Sequence, residues 1–301
     1  MQFFLIGGTG FVGTPLIRHL LKNGHAVTAL IRRAAKAENL PPGTTPSLGD
    51  PLETGSWQEQ AAASDVIINL AGKPIMTKWT GKAREEIMAS RIRSTRMAVE
   101  AIPRDRAPGM TLINANAVGY YEVGDAVVAE NGPAGKGFLA EVAKAWQVEA
   151  EEGAKKGARV VIARLGAVLG RGGGVLGQML PPFQLGLGGR LGSGRQWFSW
   201  IHIHDLCKAF LFAAERKEIS GPVNVCAPNP VTNRELTRTL SRILSRPAVL
   251  PVPGFILRLA IGDAAEIALE GQRVIPSVLE KTGFAFDYPT LEEALRDLLG
   301  N

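Results

Sequence analysis

Phe3-Phe4-Leu5-Ile6-Gly7-Gly8-Thr9-Gly10-Phe11-Val12-Gly13 decides the fold. Its four leading apolar residues read as a strand buried on both faces of a parallel sheet. Gly7, Gly10 and Gly13 follow at once, spaced G-x-x-G-x-x-G. Leu16, Ile17, Leu20 and Leu21 then recur at helical spacing, and Asn23-Gly24 closes the helix. Strand, glycine turn and helix are the parts of a dinucleotide-binding βαβ unit. Gly7 permits the tight turn, Gly10 lets main-chain N–H groups approach a pyrophosphate, and Gly13 lets the helix pack close to the strand. With Thr9, Phe11 and Val12 they present amide hydrogens and a helix dipole to an anion.

The rest of the chain narrows the class. It has 301 residues, 46% hydrophobic and 21% charged, enough for a large core in one or two domains. No apolar run approaches the roughly 20 residues of a membrane helix, and the first residues enter a strand with no basic leader. Cys207 and Cys226 are the only cysteines, which rules out a disulfide framework and points to a cytoplasmic location. The net charge of +6 comes from scattered lysines and arginines without a nucleic-acid-binding signature. A small anionic ligand accounts for it, with neither nucleic acid nor membrane as partner.

Strands are predicted at Ala26–Ile31, up to Leu48-Gly49-Asp50, at Asp65–Leu70, from Leu112, at Val160–Leu165 and at Pro222–Val225. Helices alternate with them, one carrying Met88, Ile92, Thr95, Val99 and Ile102, another Leu139, Val142 and Trp146. This alternation predicts an α/β Rossmann fold, a doubly wound parallel sheet with helices on both faces and ligands at the strands' carboxyl ends. Capping boxes are expected at Ser56-Trp57-Gln58-Glu59, Thr232-Asn233-Arg234-Glu235 and Thr290-Leu291-Glu292-Glu293. Residues 170–194, rich in glycine with apolar residues between, read as a mobile cover over the crevice. Arg195–His202 reads as one returning strand, followed by a helix that Asp205 caps. The division expected is 1–168 for the nucleotide-binding domain, with 197–226 returning to it. Residues 169–196 and 227–301 would form a smaller, mostly helical substrate domain.

The second predicted strand ends at Arg32-Arg33, where an NAD site usually carries an acid for the ribose 2′-hydroxyl. Two guanidinium groups there suit a 2′-phosphate, so NADP(H) is expected over NAD(H). Asp50 is placed either to accept from an adenine amino group or to cap the following segment. Leu70-Ala71-Gly72 are small enough to let the main chain pass beside a nucleotide, and Arg91 lies at the cofactor end of the next long helix. Arg164-Leu165-Gly166 closes the sixth strand at the same rim. His202 and His204, two apart on the expected strand, would share a face. No third ligand accompanies them, and no metal is expected.

The glycine motif, Asp50, Leu70-Ala71-Gly72 and the end of the fifth strand resemble the extended short-chain dehydrogenases/reductases. Leu180-Pro181-Pro182-Phe183, Ile201-His202-Ile203-His204-Asp205-Leu206 and Leu269-Glu270-Gly271-Gln272-Arg273-Val274 are similar to an atypical branch, the epimerase family proteins. These carry a C-terminal domain of unknown function. The resemblance implies an NADP(H)-binding oxidoreductase or epimerase-like enzyme for a small polar or nucleotide-linked substrate, as monomer or homodimer. Active relatives use a Ser or Thr with a Tyr and a Lys in Y-x-x-x-K. Here Asn116 falls at the hydroxyl position, Lys144 at the Lys and Ala140 at the Tyr, while Arg91 replaces a supporting Asn. Tyr120 or Tyr121 would then supply the acid/base or line the pocket. Arg195, Trp200 and His202 are the further candidates for contact with substrate. An NADPH-binding regulator or scaffold with little catalysis is the alternative that Ala140 leaves open.

Overall fold

In the computed structural model, which describes residues 1–300, strand β1 (Gln2–Ile6) is buried on both sides. Phe3 and Leu5 enter one apolar core, and Phe4 and Ile6 enter another. That two-sided burial is why the run is continuously apolar rather than alternating. The chain continues through α1 (Gly13–Lys22), β2 (Ala26–Ile31), β3 (Thr45–Leu48), α2 (Trp57–Ala62), β4 (Val66–Asn69), α3 (Gly81–Glu100) and β5 (Thr111–Ala117). Next come β6 (Gly124–Val128), α4 (Phe138–Lys155), β7 (Arg159–Leu165), β8 (Ala167–Leu169), α5 (Gly174–Gln184), β9 (Trp197–Phe198) and β10 (Trp200–His202). The last part holds α6 (Ile203–Glu215), β11 (Gly221–Val225), β12 (Val231–Thr232), α7 (Asn233–Leu244), α8 (Gly254–Ile261), α9 (Glu266–Leu269), β13 (Gln272–Val274), α10 (Ser277–Lys281) and α11 (Leu291–Leu299).

Seven strands form one parallel sheet in the order β11-β7-β5-β4-β1-β2-β3. This is the doubly wound Rossmann order with an added edge strand. Helices α1 and α6 cover one face through Leu16, Ile17, Leu20, Leu206 and Phe210. Trp57 of α2, Val99 of α3 and Ala150 of α4 cover the other. The smaller, mostly helical C-terminal part has its own core, in which Leu236, Leu240, Leu291, Leu295 and Leu298 meet Leu176, Phe183 and Trp200.

Several local expectations are corrected. Residues 195–202 form two short strands in different small sheets, β9 against β12 and β10 against β8. His202, not Asp205, caps α6, its Nδ1 accepting from the His204 N–H at 3.2 Å. Asp205 is fully buried and accepts instead from the Asp287 and Tyr288 N–H groups, both at 2.9 Å, tying the C-terminal segment to α6. Ser56 makes no capping bond; Gln58 Oε1 accepts from the Gly55 N–H. Both remaining capping boxes form as expected, at Thr232/Glu235 and Thr290/Glu293. The long helix α3 buries Ile87, Ser94, Thr95, Ala98 and Val99; Met88 and Ile92 stay half-buried at its edge.

Candidate functional site

The carboxyl ends of the parallel strands converge on the glycine turn. Gly7 has φ +88°, and a Cβ there would lie 3.0 Å from the Leu70 carbonyl carbon and 3.1 Å from the Ala71 nitrogen. At Gly13 a Cβ would run into the Gly7 carbonyl oxygen and lie 2.7 Å from Gly8 Cα. Only hydrogens fit at both positions, which sets α1 directly on the turn. The turn is held by Gly10 N–H donating to the Gly7 carbonyl and Thr14 N–H to the Gly10 carbonyl, both at 3.1 Å. Val12 caps α1 without a side-chain bond, and the first turn of α1 has no acidic residue. Thr9 and Gly10 are exposed, Phe11 and Val12 half-buried. Phe11 is wedged beneath the start of the glycine-rich segment: a Cβ on Gly170, Gly173 or Gly174 would approach its ring to 2.6–2.9 Å.

Arg32 and Arg33 follow β2, and both are exposed. Among the described residues neither makes an ion pair with a carboxylate. Asp50 follows β3, where Oδ1 accepts from the Leu52 N–H at 2.9 Å in a local turn. Beyond β4, Asn69 Oδ1 accepts from the Ala71 N–H, while Asn69 Nδ2 donates to Thr95 Oγ1 and Asn114 Oδ1. This buried polar floor joins β4, β5 and α3. The sequence reading did not single it out, although Asn69, the last residue of β4, pairs in register with Asn114 in the middle of β5. Arg91 donates to the Lys73 and Ile87 carbonyls and lies 5.1 Å from the centre of the Trp146 ring. Burial pulls its guanidinium down to about 10. A Cβ on Gly72 would come within 3.1 Å of that guanidinium, so the loop after β4 is clasped to α3.

At the end of β5, Asn116 is buried and internally committed. Its Nδ2 donates to the Ala143 carbonyl at 2.9 Å, and its Oδ1 accepts from the Ala117 N–H at 2.8 Å. Ala140 is buried on α4, and Lys144, one turn later, is half-buried with no ion-pair partner among the described residues. Tyr120 is half-buried, its ring centre 3.6 Å from the Arg164 guanidinium carbon, and its hydroxyl makes no hydrogen bond among the described residues.

The sequence places Tyr121, Trp200 and His202 toward substrate; the structure buries all three. Tyr121 is 1% exposed. Its hydroxyl donates to Asn224 Oδ1 and accepts from Arg164 Nη1, both at 2.6 Å. Burial, opposed by Arg164, pushes its phenol up to about 12. Trp200 is wholly buried in the C-terminal core, with Nε1 donating to the Asn229 carbonyl. His202 stacks on Tyr288 at 3.9 Å, with Nε2 3.3 Å from Asp297. Burial lowers its pKa despite the nearby carboxylates. These rings are claimed by segments far along the chain, which no local pattern announces. His202 and His204 also do not share a strand face, because α6 begins between them.

Arg164 is itself 2% exposed and has no carboxylate partner among the described residues. Besides Tyr121 it donates to the Glu130 carbonyl and to Gln147 Oε1. Glu130 Oε1 accepts from the Asn224 and Val278 N–H groups. Glu130, Gln147 and Asn224 are residues the sequence reading missed, since each acts through a partner distant in sequence. Leu165 is half-buried, and Gly166 lies against Ser199 and Cys226. Arg195 is exposed on a separate groove of about 150 Å³, shared with Asp125, Trp197 and Glu270.

Residues 3–226 match the model of the NAD dependent epimerase/dehydratase family, and residues 252–298 match a domain of unknown function, DUF1731. The chain is 41% identical over 303 residues to the chloroplastic "Epimerase family protein SDR39U1 homolog" of Arabidopsis thaliana, covering 99% of this chain and 87% of that protein. It is 38% identical over 304 residues to "Epimerase family protein YfhF" of Bacillus subtilis, covering 100% and 99%. Among solved structures, human epimerase family protein SDR39U1 (isoform 2) with NADPH superposes with a TM-score of 0.87 at 34% identity over the full length of both chains. UDP-glucose 4-epimerase of Thermus thermophilus in complex with NAD, at 21% identity and a TM-score of 0.78 over 99% and 97% of the chains, shares the fold.

Proposed function

Since this chain belongs to the NAD dependent epimerase/dehydratase family, we propose that it is an NADP(H)-dependent oxidoreductase or epimerase-like enzyme. Its substrate would be a small polar or nucleotide-linked molecule. The observation that carries this reading is the uncapped start of α1 beside a turn in which Gly7 and Gly13 admit no side chain. Amides and a helix N-terminus aimed at one point favour a pyrophosphate. Arg32 and Arg33, unpaired with any carboxylate among the described residues, suit a 2′-phosphate as bidentate donors. The related human structure's NADPH agrees with that choice.

Bound nicotinamide would give or take a hydride. This chain's residues do the rest. The turn from Gly7 to Gly13 holds the pyrophosphate, Leu70, Ala71 and Gly72 flank the nucleotide, and Lys144 holds ribose or phosphate. Tyr120 is the proton donor or acceptor, because its hydroxyl, unlike that of Tyr121, makes no hydrogen bond among the described residues; the Arg164 guanidinium stacks on its ring and holds it in place. Asn116 positions Lys144's helix through the Ala143 carbonyl rather than touching substrate. Arg195 would meet an anionic end of the substrate.

Calorimetric titration of the wild type and R32A/R33A with NADPH and NADH tests the cofactor. Losing two charge-assisted contacts of about 1.5–3 kcal/mol each should weaken NADPH at least about a hundredfold and NADH little. Equal losses for both would overturn the assignment. A second reading, an NADPH-binding regulator, is favoured by Ala140, buried where active relatives place a tyrosine. Single-turnover oxidation of bound NADPH across carbonyl compounds and nucleotide sugars separates the two. Tyr120-dependent turnover supports the enzyme, and silence with tight binding supports the regulator.

A further inference from the structure

Helix α8 has the sequence G-F-I-L-R-L-A-I, yet none of its residues is buried. At 100° per residue, Phe255, Ile256, Leu259 and Ala260 fall on one face. Leu257 and Ile261, both half-buried, fall on the opposite side, toward the protein. Phe255 is 72% exposed, Leu259 84% and Ile256 44%. The stretch before the helix adds Val249 and Leu250, and the end of α5 adds Leu185 and Leu187, all more than half exposed. These stretches lie side by side: Leu191 bridges to Val252, the Gly192 N–H donates to the Val252 carbonyl, the Val252 N–H donates to the Arg190 carbonyl, and Gly189 packs on the Leu250 carbonyl.

Seven of the thirteen large hydrophobic residues exposed among those described therefore sit in one region. With about 150–200 Å² per side chain, they leave on the order of 800 Å² in the open. That exceeds the roughly 300–600 Å² patch of an ordinary monomer and equals the ~800 Å² each partner gives to a standard interface. The outer faces of α3 and α4 are different in kind. They expose Lys82, Glu85, Arg93, Arg96, Glu141 and Glu151, and Arg96 is already paired with Glu149 across the two helices.

We propose that the α8 patch is the contact between two copies of this chain. A two-fold axis through α8 sets Phe255, Ile256 and Leu259 of each copy against the other. Ala260 allows the helices to approach, and Arg258, on the flank of the face, keeps its charge at the rim. The patch is self-complementary because it is apolar throughout its centre, which suits an isologous contact.

Sedimentation velocity between about 1 and 50 μM is the test, with F255D/L259D and, as a control on the α4 surface, V148D. The wild type and V148D should sediment at twice the 32.1 kDa of one chain, and F255D/L259D at the single mass. Unchanged circular dichroism and NADPH affinity in F255D/L259D would exclude misfolding. Persistence of the dimer in F255D/L259D, its loss in V148D alone, or a monomeric wild type throughout would overturn the proposal. So would a monomer that binds anionic vesicles through Phe255 and Leu259.

Discussion

Replacing Tyr121 with phenylalanine removes a buried hydroxyl that bonds on both sides. That oxygen accepts from Arg164 Nη1 and donates to Asn224 Oδ1, both at 2.6 Å, and the side chain is 1% exposed. The bond to the guanidinium is charge-assisted and contributes about 1.5–3 kcal/mol; the bond to the amide contributes about 1 kcal/mol. Arg164 keeps its bonds to the Glu130 carbonyl and Gln147 Oε1, but its Nε already has no partner among the described residues, so the lost contact is not made up elsewhere. The sum is about 3 kcal/mol, which at about 2–4 °C per kcal/mol lowers Tm by about 6–12 °C. Urea denaturation near neutral pH should show a lower midpoint at unchanged slope, while NADPH affinity stays within about twofold. A loss below about 0.5 kcal/mol, combined with a clear fall in substrate turnover, would refute the structural role. It would return Tyr121 to the pocket, where the sequence reading put it.

Gly13→Ala should cost about 3 kcal/mol in stability and at least tenfold in dinucleotide affinity, because its methyl meets main-chain atoms of Gly7 and Gly8 that cannot rotate away. Thermal melts with and without NADPH measure both, and a stable variant that binds normally would contradict the packing. A fall in stability at high pH follows from three buried acids. Burial pushes Cys207 and Tyr121 up to about 12, and Cys226 upward as well. Raised folded pKa values mean their contribution is complete below the unfolded thiol range near 8.5, and is lost as pH climbs toward 12. Denaturation midpoints from pH 7 to 10.5 should drop, less steeply in C207A/C226A; parallel slopes would count against it.

Much of the fold was legible in short stretches. The run Phe3–Ile6, the three glycines and the period of Leu16, Ile17 and Leu20 each encode a preference satisfied within a few residues, so strand, turn and helix follow from local sterics and periodicity. The same holds for Thr232/Glu235, whose partners are three residues apart. The Ser56 stretch has the same S/T-x-x-E pattern and forms no box, because Ser56 takes helical angles (φ −58°, ψ −21°) where the capping residues Thr232 and Thr290 are extended.

The sequence by itself therefore determined the nucleotide-binding half: its sheet, its glycine turn and the arginine pair at the end of β2. Only the tertiary structure decided which aromatic and histidine side chains are available. Asn224 takes Tyr121's hydroxyl from 103 residues away, Tyr288 covers His202, and Leu291 and Leu295 help to enclose Trp200. Burial is a property of what arrives from elsewhere in the chain, and a residue's own neighbours in sequence carry no record of it.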